Sequence, residues 1–80
     1  MKTFSDEEKI IAKGIDKDFL WMARDSDGVL YVFRDKPEKG GWIWDTSASD
    51  SASPFLFNDM FSSIKWEDEE PTLISSIYSS

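Results

Sequence analysis

Carboxylates are the most concentrated reactive groups in this 80-residue chain, and their densest run is residues 67–70 in the string IKWEDEEP. Two carboxylates can perform acid–base catalysis when burial separates their pKa values. These acids stand in charged runs and turns, where water surrounds them. The chain also has no histidine and no cysteine, which removes the common nucleophile–base pairs and thiolate zinc ligands. The composition predicts a non-enzymatic protein with no cofactor and no bound metal.

The string DSDG at residues 25–28 is superficially similar to the start of a calcium loop. An EF-hand loop needs a third ligand before its glycine and a glutamate at its twelfth position. Counted from Asp25, the glycine is fourth and the twelfth residue is Lys36. Aspartate and glycine are standard turn residues, so the string predicts a hairpin turn.

Aromatic side chains make up 15% of the chain, including four tryptophans. On a small sheet, such rings are either the core or a platform on which the bases of single-stranded nucleic acid stack. Nucleic-acid affinity depends on lysine and arginine neutralising phosphates, and this chain has a net charge of −7. The composition therefore favours a core and predicts no direct binding of nucleic acid.

The excess negative charge lies in the second half of the chain, where Lys65 is the only base against seven acids in residues 42–80. Such asymmetry can steer a basic partner to one face. One interpretation of residues 67–70 is a solvated strand end that keeps a sheet edge soluble. The other is a carboxylate array that mimics DNA. On an extended strand successive side chains alternate, so an array would need a turn.

Alternating apolar residues on both sides of DSDG, at residues 19–24 and 29–34, predict a β-hairpin in which Gly28 has a positive φ. The string WIWD predicts a third strand, with Trp42 and Trp44 on one face and Ile43 on the other. The three strands would form an antiparallel β-meander.

The first helix is predicted by a capping box, in which Ser5 precedes Glu8 by three residues. Its core-facing residues would be Ile10, Ile11 and Ile15, and Gly14 would end it.

A second helix is predicted after Ser53, with Pro54 in its first turn. Its core face has helical spacing and consists of Phe57, Met60, Phe61 and Ile64. Residues 64–68, IKWED, are also compatible with a brief fourth strand that turns Ile64 and Trp66 inward.

Together these elements predict one α+β domain over residues 1–80, with a three- to four-stranded antiparallel sheet packed with one or two short helices. The serine-rich residues 46–53 are expected to form a flexible loop. Residues 72–78, TLISSIY, are expected to form a last helical turn or a loose tail, with residues 75–80 as the loose C-terminal end. No signal peptide and no membrane span of about 20 apolar residues is evident. With no cysteine, the expected location is the cytoplasm.

The strings WMARDSDGVLYVF and FSSIKWEDEEPTLI, with KP and W between them, resemble a group of small proteins encoded by phages and prophages of Gram-positive bacteria. The shared pattern is an aromatic-x-A-R-D-x-x-G-x-L hairpin followed by IKWEDEEP, and it spans residues 5–74. The resemblance implies a phage-derived protein acting in a bacterial cytoplasm and implies no activity.

These observations predict a non-enzymatic module that binds a host or phage protein, as a monomer or weak homodimer, with inhibition of that protein as one form of the prediction. The alternatives are a DNA mimic that inhibits a DNA-binding host protein and a self-associating structural protein. A tryptophan or tyrosine in a charged rim is typical of a binding hot spot. The predicted contact residues are Trp66, Glu67, Asp68, Glu69, Glu70, Leu73, Ile74, Ile77 and Tyr78.

Overall fold

A computed structural model describes residues 2–46 and 51–79, which contain two short helices and six strands. The helices are α1 (Asp6–Lys13) and α2 (Ile74–Tyr78). The strands are β1 (Trp21–Arg24), β2 (Leu30–Phe33), β3 (Glu38–Lys39), β4 (Trp44–Asp45), β5 (Ala52–Phe55) and β6 (Thr72–Leu73).

A four-stranded antiparallel sheet in the order β5-β2-β1-β6 is the centre of the fold. The predicted hairpin is confirmed as β1 and β2, with Trp21 opposite Phe33 and Arg24 opposite Leu30. Gly28 has a φ of 91°, as the turn requires. The predicted fold class, a small α+β domain with an antiparallel sheet, is therefore confirmed.

The predicted third strand lies in a different place. β4, which contains Trp44, pairs with β3 in a separate two-stranded ribbon, and not with β2. A tight turn closes this ribbon, because Gly40 N–H donates to the carbonyl of Ile43 at 2.8 Å. The ribbon lies over the sheet, so Trp44 is buried while Trp42 is exposed.

The place next to β2, where WIWD was expected, is occupied by β5. The residues of β5 were predicted to be the end of a loop and the start of a helix. Ser53 lies opposite Val32 and Pro54 opposite Tyr31, so neither residue begins a helix. The backbone of β2 continues this pairing, since Arg34 N–H donates to the carbonyl of Ser51 at 2.9 Å. Residues 47–50 of the expected serine-rich loop lie outside the described residues.

Each face of the central sheet carries its own layer. The face with Met22 and Val32 packs against the helices and residues 60–64. The opposite face, with Ala23 and Phe33, packs against the ribbon through Trp44. The sequence predicted helices on one face, and the structure adds an aromatic ribbon on the other.

Helix α1 begins at the predicted capping box, with Ser5 and Glu8 each accepting the other's backbone N–H. Its buried residue is Ala12, and Ile11 and Ile15 are partly buried. Ile10 was expected in the core but is 72% exposed. The face of α1 that packs on the core is thus centred on Ala12 and not on Ile10 and Ile11 as predicted, so Ile10 faces the solvent.

The end of the described chain is ordered as the helical turn that the sequence allowed. In α2, Ile74 and Ile77 are buried in the main core, and Tyr78 packs against it. Ser79 closes the turn by donating its N–H to the carbonyl of Ser75. Residue 80 lies outside the described residues.

Thr72 in β6 is 6% exposed, and its hydroxyl has no hydrogen-bond partner within the described residues. A buried hydroxyl without a partner costs about 1–3 kcal/mol. We expect Thr72→Val to raise the free energy of unfolding by about 1 kcal/mol, measured by urea denaturation. Ser76→Ala is the contrasting control, because the exposed Ser76 hydroxyl donates to the carbonyl of Leu73 at 2.6 Å and its loss should not stabilise the domain. A destabilised Thr72→Val would contradict this account.

Candidate functional site

Residues 67–70, the densest acidic run, do not form a uniform carboxylate surface. Asp68 lies 2.7 Å from the ammonium of Lys2, and Glu70 lies 3.4 Å from that of Lys36. Glu67 and Glu69 are exposed, and neither makes an ion pair with any described residue. Half of the predicted acidic surface is thus neutralised within the protein.

Residues 64–68 form a turn and not the brief strand that the sequence allowed. Asp68 closes this turn, because its carboxylate accepts the N–H of Lys65 at 3.1 Å and its own N–H donates to the carbonyl of Lys65. This bonding folds residues 65–68 into a turn, and the segment pairs with no described strand.

Trp66 is half-buried and belongs to the ribbon side of the core. Its ring meets that of Trp44 edge-on, at 6.4 Å between centroids. The Lys39 ammonium lies 4.5 Å from the centroid of the Trp66 ring and donates to the carbonyl of Asp68 at 3.0 Å. This contact ties the ribbon to the acidic run.

The predicted apolar part of the contact surface is mostly inside the protein. Ile74 and Ile77 are buried at 4% and 0% exposure, so a partner cannot touch them while the domain is folded. Tyr78 is half-buried beside Lys17, and only Leu73 is clearly exposed. The structure therefore does not bring the nine predicted contact residues together on one surface.

Exposed apolar side chains lie elsewhere, toward the end of the sheet that carries the β1–β2 turn. Trp42 is 78% exposed, and its carbonyl accepts from both the N–H and the hydroxyl of Ser26 in that turn. Leu56 and Phe57 are also exposed, and they follow Phe55, which pairs with the first residue of β2. These exposed residues were not predicted, because no sequence pattern distinguishes Trp42 from Trp44 in the string WIW.

A cleft of about 470 Å³ opens at the same end, between the β1–β2 turn and residues 58–67. Asp59 and Glu67 are exposed carboxylates on its walls, and Met60 and Trp66 supply apolar surface. Its volume is within the range of about 300–1,000 Å³ that ligand clefts have.

Arg24 forms one side of this cleft and uses all five of its guanidinium N–H groups inside the protein. Nε donates to the carbonyl of Ile64 at 2.8 Å. The Nη1 and Nη2 groups donate to four further carbonyls at 2.6–3.3 Å, those of Gly28, Asn58, Met60 and Phe61. Burial lowers the pKa of Arg24, which remains protonated. Arg24 therefore connects the hairpin to residues 58–64.

This arrangement explains why the predicted second helix is absent. A helix would use the backbone groups of residues 58–64, but their carbonyls accept from Arg24 and the N–H of Phe61 donates to Glu8. Phe61 also has a φ of 59°, which interrupts a right-handed helix. Its ring is fully buried, and this burial offsets the strain. The predicted core residues Met60, Phe61 and Ile64 do reach the core, as successive turns.

Asp25, the neighbour of Arg24, holds the ribbon to the hairpin. It is 6% exposed, and its Oδ1 accepts the N–H of Trp44 at 2.9 Å. The indole N–H of Trp44 donates to the carbonyl of Arg24 at 3.1 Å. Burial raises the pKa of Asp25, the Trp44 hydrogen bond lowers it, and the charge of Asp27 raises it further, for a net increase.

The raised pKa of Asp25 predicts a pH dependence of stability. A folded-state pKa above the unfolded value gives stability that is present below the unfolded pKa and is lost as pH rises through the folded pKa. Relative to Asp25→Asn, which keeps an acceptor for Trp44, the parent chain should therefore lose stability as pH rises from below 3.8, the ordinary pKa of an aspartate, through the raised folded-state pKa of Asp25. Denaturant titrations of both proteins measure this difference, and an increase with pH would contradict the prediction.

Asp25→Ala tests the hydrogen bond itself. This change leaves the buried N–H of Trp44 without an acceptor, which costs about 1–3 kcal/mol. At neutral pH we expect Asp25→Ala to be less stable than Asp25→Asn by an amount in this range. Equal stabilities would show that the bond to Trp44 does not hold the ribbon.

No protein-family profile matches the chain, and no curated protein or solved structure shows significant similarity to it. Within residues 2–46 and 51–79, no helix is long and apolar enough to cross a membrane. In the same residues, no three carboxylates lie close enough together to hold a metal ion.

The roles of Arg24 and Asp25 were not predicted from the sequence, although both residues stand in the A-R-D string of the resemblance. Four of the five carbonyls that Arg24 contacts lie 34–40 residues away. No local spacing indicates such acceptors. An arginine at the end of an alternating strand was the only signal.

Proposed function

We propose that this chain is a non-enzymatic module that binds a host or phage protein through the end of the sheet that carries the β1–β2 turn. The observation that supports the proposal is Trp42, a tryptophan 78% exposed beside a cleft with acidic walls. Exposed apolar clusters with polar rims are typical of protein-interaction sites. Tryptophan is also among the residues that contribute most to binding energy.

The ribbon makes this surface rigid as well as exposed. Ser26 holds the backbone of Trp42, and Trp44 two residues away is anchored by Asp25 and the carbonyl of Arg24. A backbone that is already held in place loses little conformational freedom on binding, so more of the burial of Trp42 contributes to affinity. The proposed surface consists of Trp42, Ile43, Leu56 and Phe57 around the cleft.

The resemblance to phage and prophage proteins supports a place of action in a bacterial cytoplasm. In this proposal the partner is a protein of the host or of the phage, and binding inhibits it. The chain would act as a monomer or a weak homodimer.

Affinity capture from a host lysate tests the proposal with a matched pair of variants. Trp42→Ala removes the central exposed ring, and Ile10→Ala removes a similarly exposed apolar side chain on α1, in the opposite layer. We expect partner affinity to fall at least tenfold with Trp42→Ala, as for a hot spot, and to stay unchanged with Ile10→Ala. Equal recovery with both variants would contradict the proposed surface.

The DNA-mimic alternative makes a different prediction in the same experiment. A mimic needs carboxylates arranged like phosphates, whereas Asp68 and Glu70 are in ion pairs with Lys2 and Lys36. The proposed surface centres on Trp42, so saturating duplex DNA should leave the captured complex intact. Displacement by DNA would favour mimicry over the proposed surface.

A further inference from the structure

We propose that Pro54 keeps the outer edge of β5 from pairing with the same edge of a second copy of this chain. In the central sheet β5 has β2 on one side and no described strand on the other. The unpaired backbone groups of such an edge are a template for another strand. The inference goes beyond the proposed function, because it concerns the backbone of a sheet edge and not the surface around Trp42.

The hydrogen bonds between β2 and β5 show which residues of β5 face outward. In an antiparallel ladder, pairs that exchange backbone hydrogen bonds alternate with pairs whose N–H and carbonyl groups point away from the partner strand. Arg34 N–H donates to the carbonyl of Ser51 at 2.9 Å, so these two residues form a bonded pair. By the register, Ser53 also faces β2, whereas Ala52 and Pro54 turn their backbone groups outward.

The pairing on the other side of β2 agrees with this assignment. Asp25 N–H donates to the carbonyl of Val29 at 3.0 Å, which makes that pair a bonded pair of the β1–β2 hairpin. Tyr31, two residues further along, therefore directs its backbone groups toward β1 and not toward Pro54. The missing N–H of Pro54 thus costs the sheet no hydrogen bond, and its effect is confined to the outer edge.

The outer edge has the spacing needed to pair with itself. A second copy related by a two-fold axis at Ser53 would place Ala52 of one copy opposite residue 54 of the other, in an isologous antiparallel pair. Four backbone hydrogen bonds would join these residues, two of them donated by the N–H of residue 54. Pro54 has no N–H, so both of those bonds are lost and two Ala52 carbonyls would be covered without donors. Ala52 and Pro54 are both exposed, so neither is needed in the core.

The opposite edge of the sheet, β6, is protected by different means. Ile74 N–H donates to the carbonyl of Leu20 at 2.8 Å, so the backbone groups of Leu73 face outward. The Leu73 carbonyl already accepts the hydroxyl of Ser76 at 2.6 Å. In addition, β6 has only two residues and leads directly into α2. Replacing the preceding Pro71 would therefore add an N–H without creating an edge on which a strand could pair.

The test compares two substitutions at position 54 that differ in one N–H group. Pro54→Ala supplies the missing donor, and a chemically synthesised chain with N-methylalanine at this position removes the proline ring but still has no N–H. Sedimentation equilibrium over a range of protein concentrations measures the dimer dissociation constant of each. We expect Pro54→Ala to dimerise about 10- to 100-fold more tightly than the N-methylalanine protein, as for two recovered hydrogen bonds. The parent chain should behave like the N-methylalanine protein.

Pro71→Ala is the control for loss of a proline at the other edge, and it should associate no more than the parent chain. In the Pro54→Ala dimer, the amides of residues 52 and 54 should exchange with solvent more slowly as protein concentration rises. Equal association of the Pro54→Ala and N-methylalanine proteins would overturn the inference, as would equal association of Pro71→Ala. Association that accompanies loss of folded structure, seen by circular dichroism, would also overturn it, because Pro54 would then act through stability and not through the edge.

Discussion

Replacing Arg24 by methionine should remove most of the stability of this domain. The change deprives five carbonyls, those of Gly28, Asn58, Met60, Phe61 and Ile64, of their donors. Each buried polar group left without a partner costs about 1–3 kcal/mol, and some of these carbonyls can reach water instead. A total loss of about 3–5 kcal/mol is large for a chain whose whole stability is about 4–12 kcal/mol at this length.

Urea denaturation of Arg24→Met measures this loss, and Arg34→Met is its matched control. Arg34 is exposed, and its guanidinium lies over the ring of Phe19, at 5.1 Å from the ring centroid. An exposed contact of this kind contributes about 0.5–1 kcal/mol. Arg24→Lys should also be strongly destabilised, because an ammonium has three donors and cannot span the same acceptors. If Arg24→Met and Arg34→Met unfold at the same urea concentration, Arg24 does not organise residues 58–64.

Replacing Trp44 by alanine should cost about 3–5 kcal/mol, the usual range for a buried tryptophan. Trp44 is 4% exposed and is the main contact of the ribbon with Ala23 and Phe33. The change also removes the indole N–H that donates to Arg24 and the edge-on contact with Trp66. The ribbon would then lose its attachment to the sheet, and Trp42 would lose its fixed position.

Trp42→Ala is the matched control for Trp44→Ala, because it also removes a tryptophan side chain, two residues earlier in the chain. Because Trp42 is exposed, we expect its loss to change the free energy of unfolding by less than about 0.5 kcal/mol. Trp44→Phe should fall between the two, since it keeps a ring and loses the N–H donor. Thermal denaturation of the three variants measures the order of their stabilities. Equal stabilities of Trp42→Ala and Trp44→Ala would contradict the buried role of Trp44.

Local sequence signals predicted the parts of the fold that depend on neighbouring residues. The capping box of Ser5 and Glu8 and the hairpin with Gly28 at its turn are confirmed, because both are determined within a few residues. The α+β class followed from the same alternation and spacing.

Long-range contacts determine the parts that the sequence did not predict. Residues 57–64 have helical spacing, but acceptors for Arg24 and a donor for Glu8 hold them as turns. Pro54 suggested a helix start, yet the pairing with Tyr31 places it in an edge strand, where a missing N–H is tolerated. In both cases tertiary hydrogen bonds overrode a local preference.

The candidate site shows the same limit. The sequence correctly placed much of the charge in the second half, but it had no means of showing that Lys2 and Lys36 neutralise Asp68 and Glu70. The sequence also could not show that Trp44 is buried and Trp42 exposed, because this difference depends on how the ribbon packs on the sheet. The proposed contact surface has therefore moved from residues 66–78 to the end of the sheet with the β1–β2 turn.

Site-specific photocrosslinking in host cells tests the central claim most directly. Photoreactive benzoylphenylalanine replaces Ile43, next to Trp42 on the proposed surface, in one protein and Ile10 in the other, two exposed positions in opposite layers of the fold. Irradiation should give a discrete covalent complex with one partner protein from position 43 and none from position 10. No complex from position 43, or equal crosslinking from position 10, would contradict the proposed binding surface.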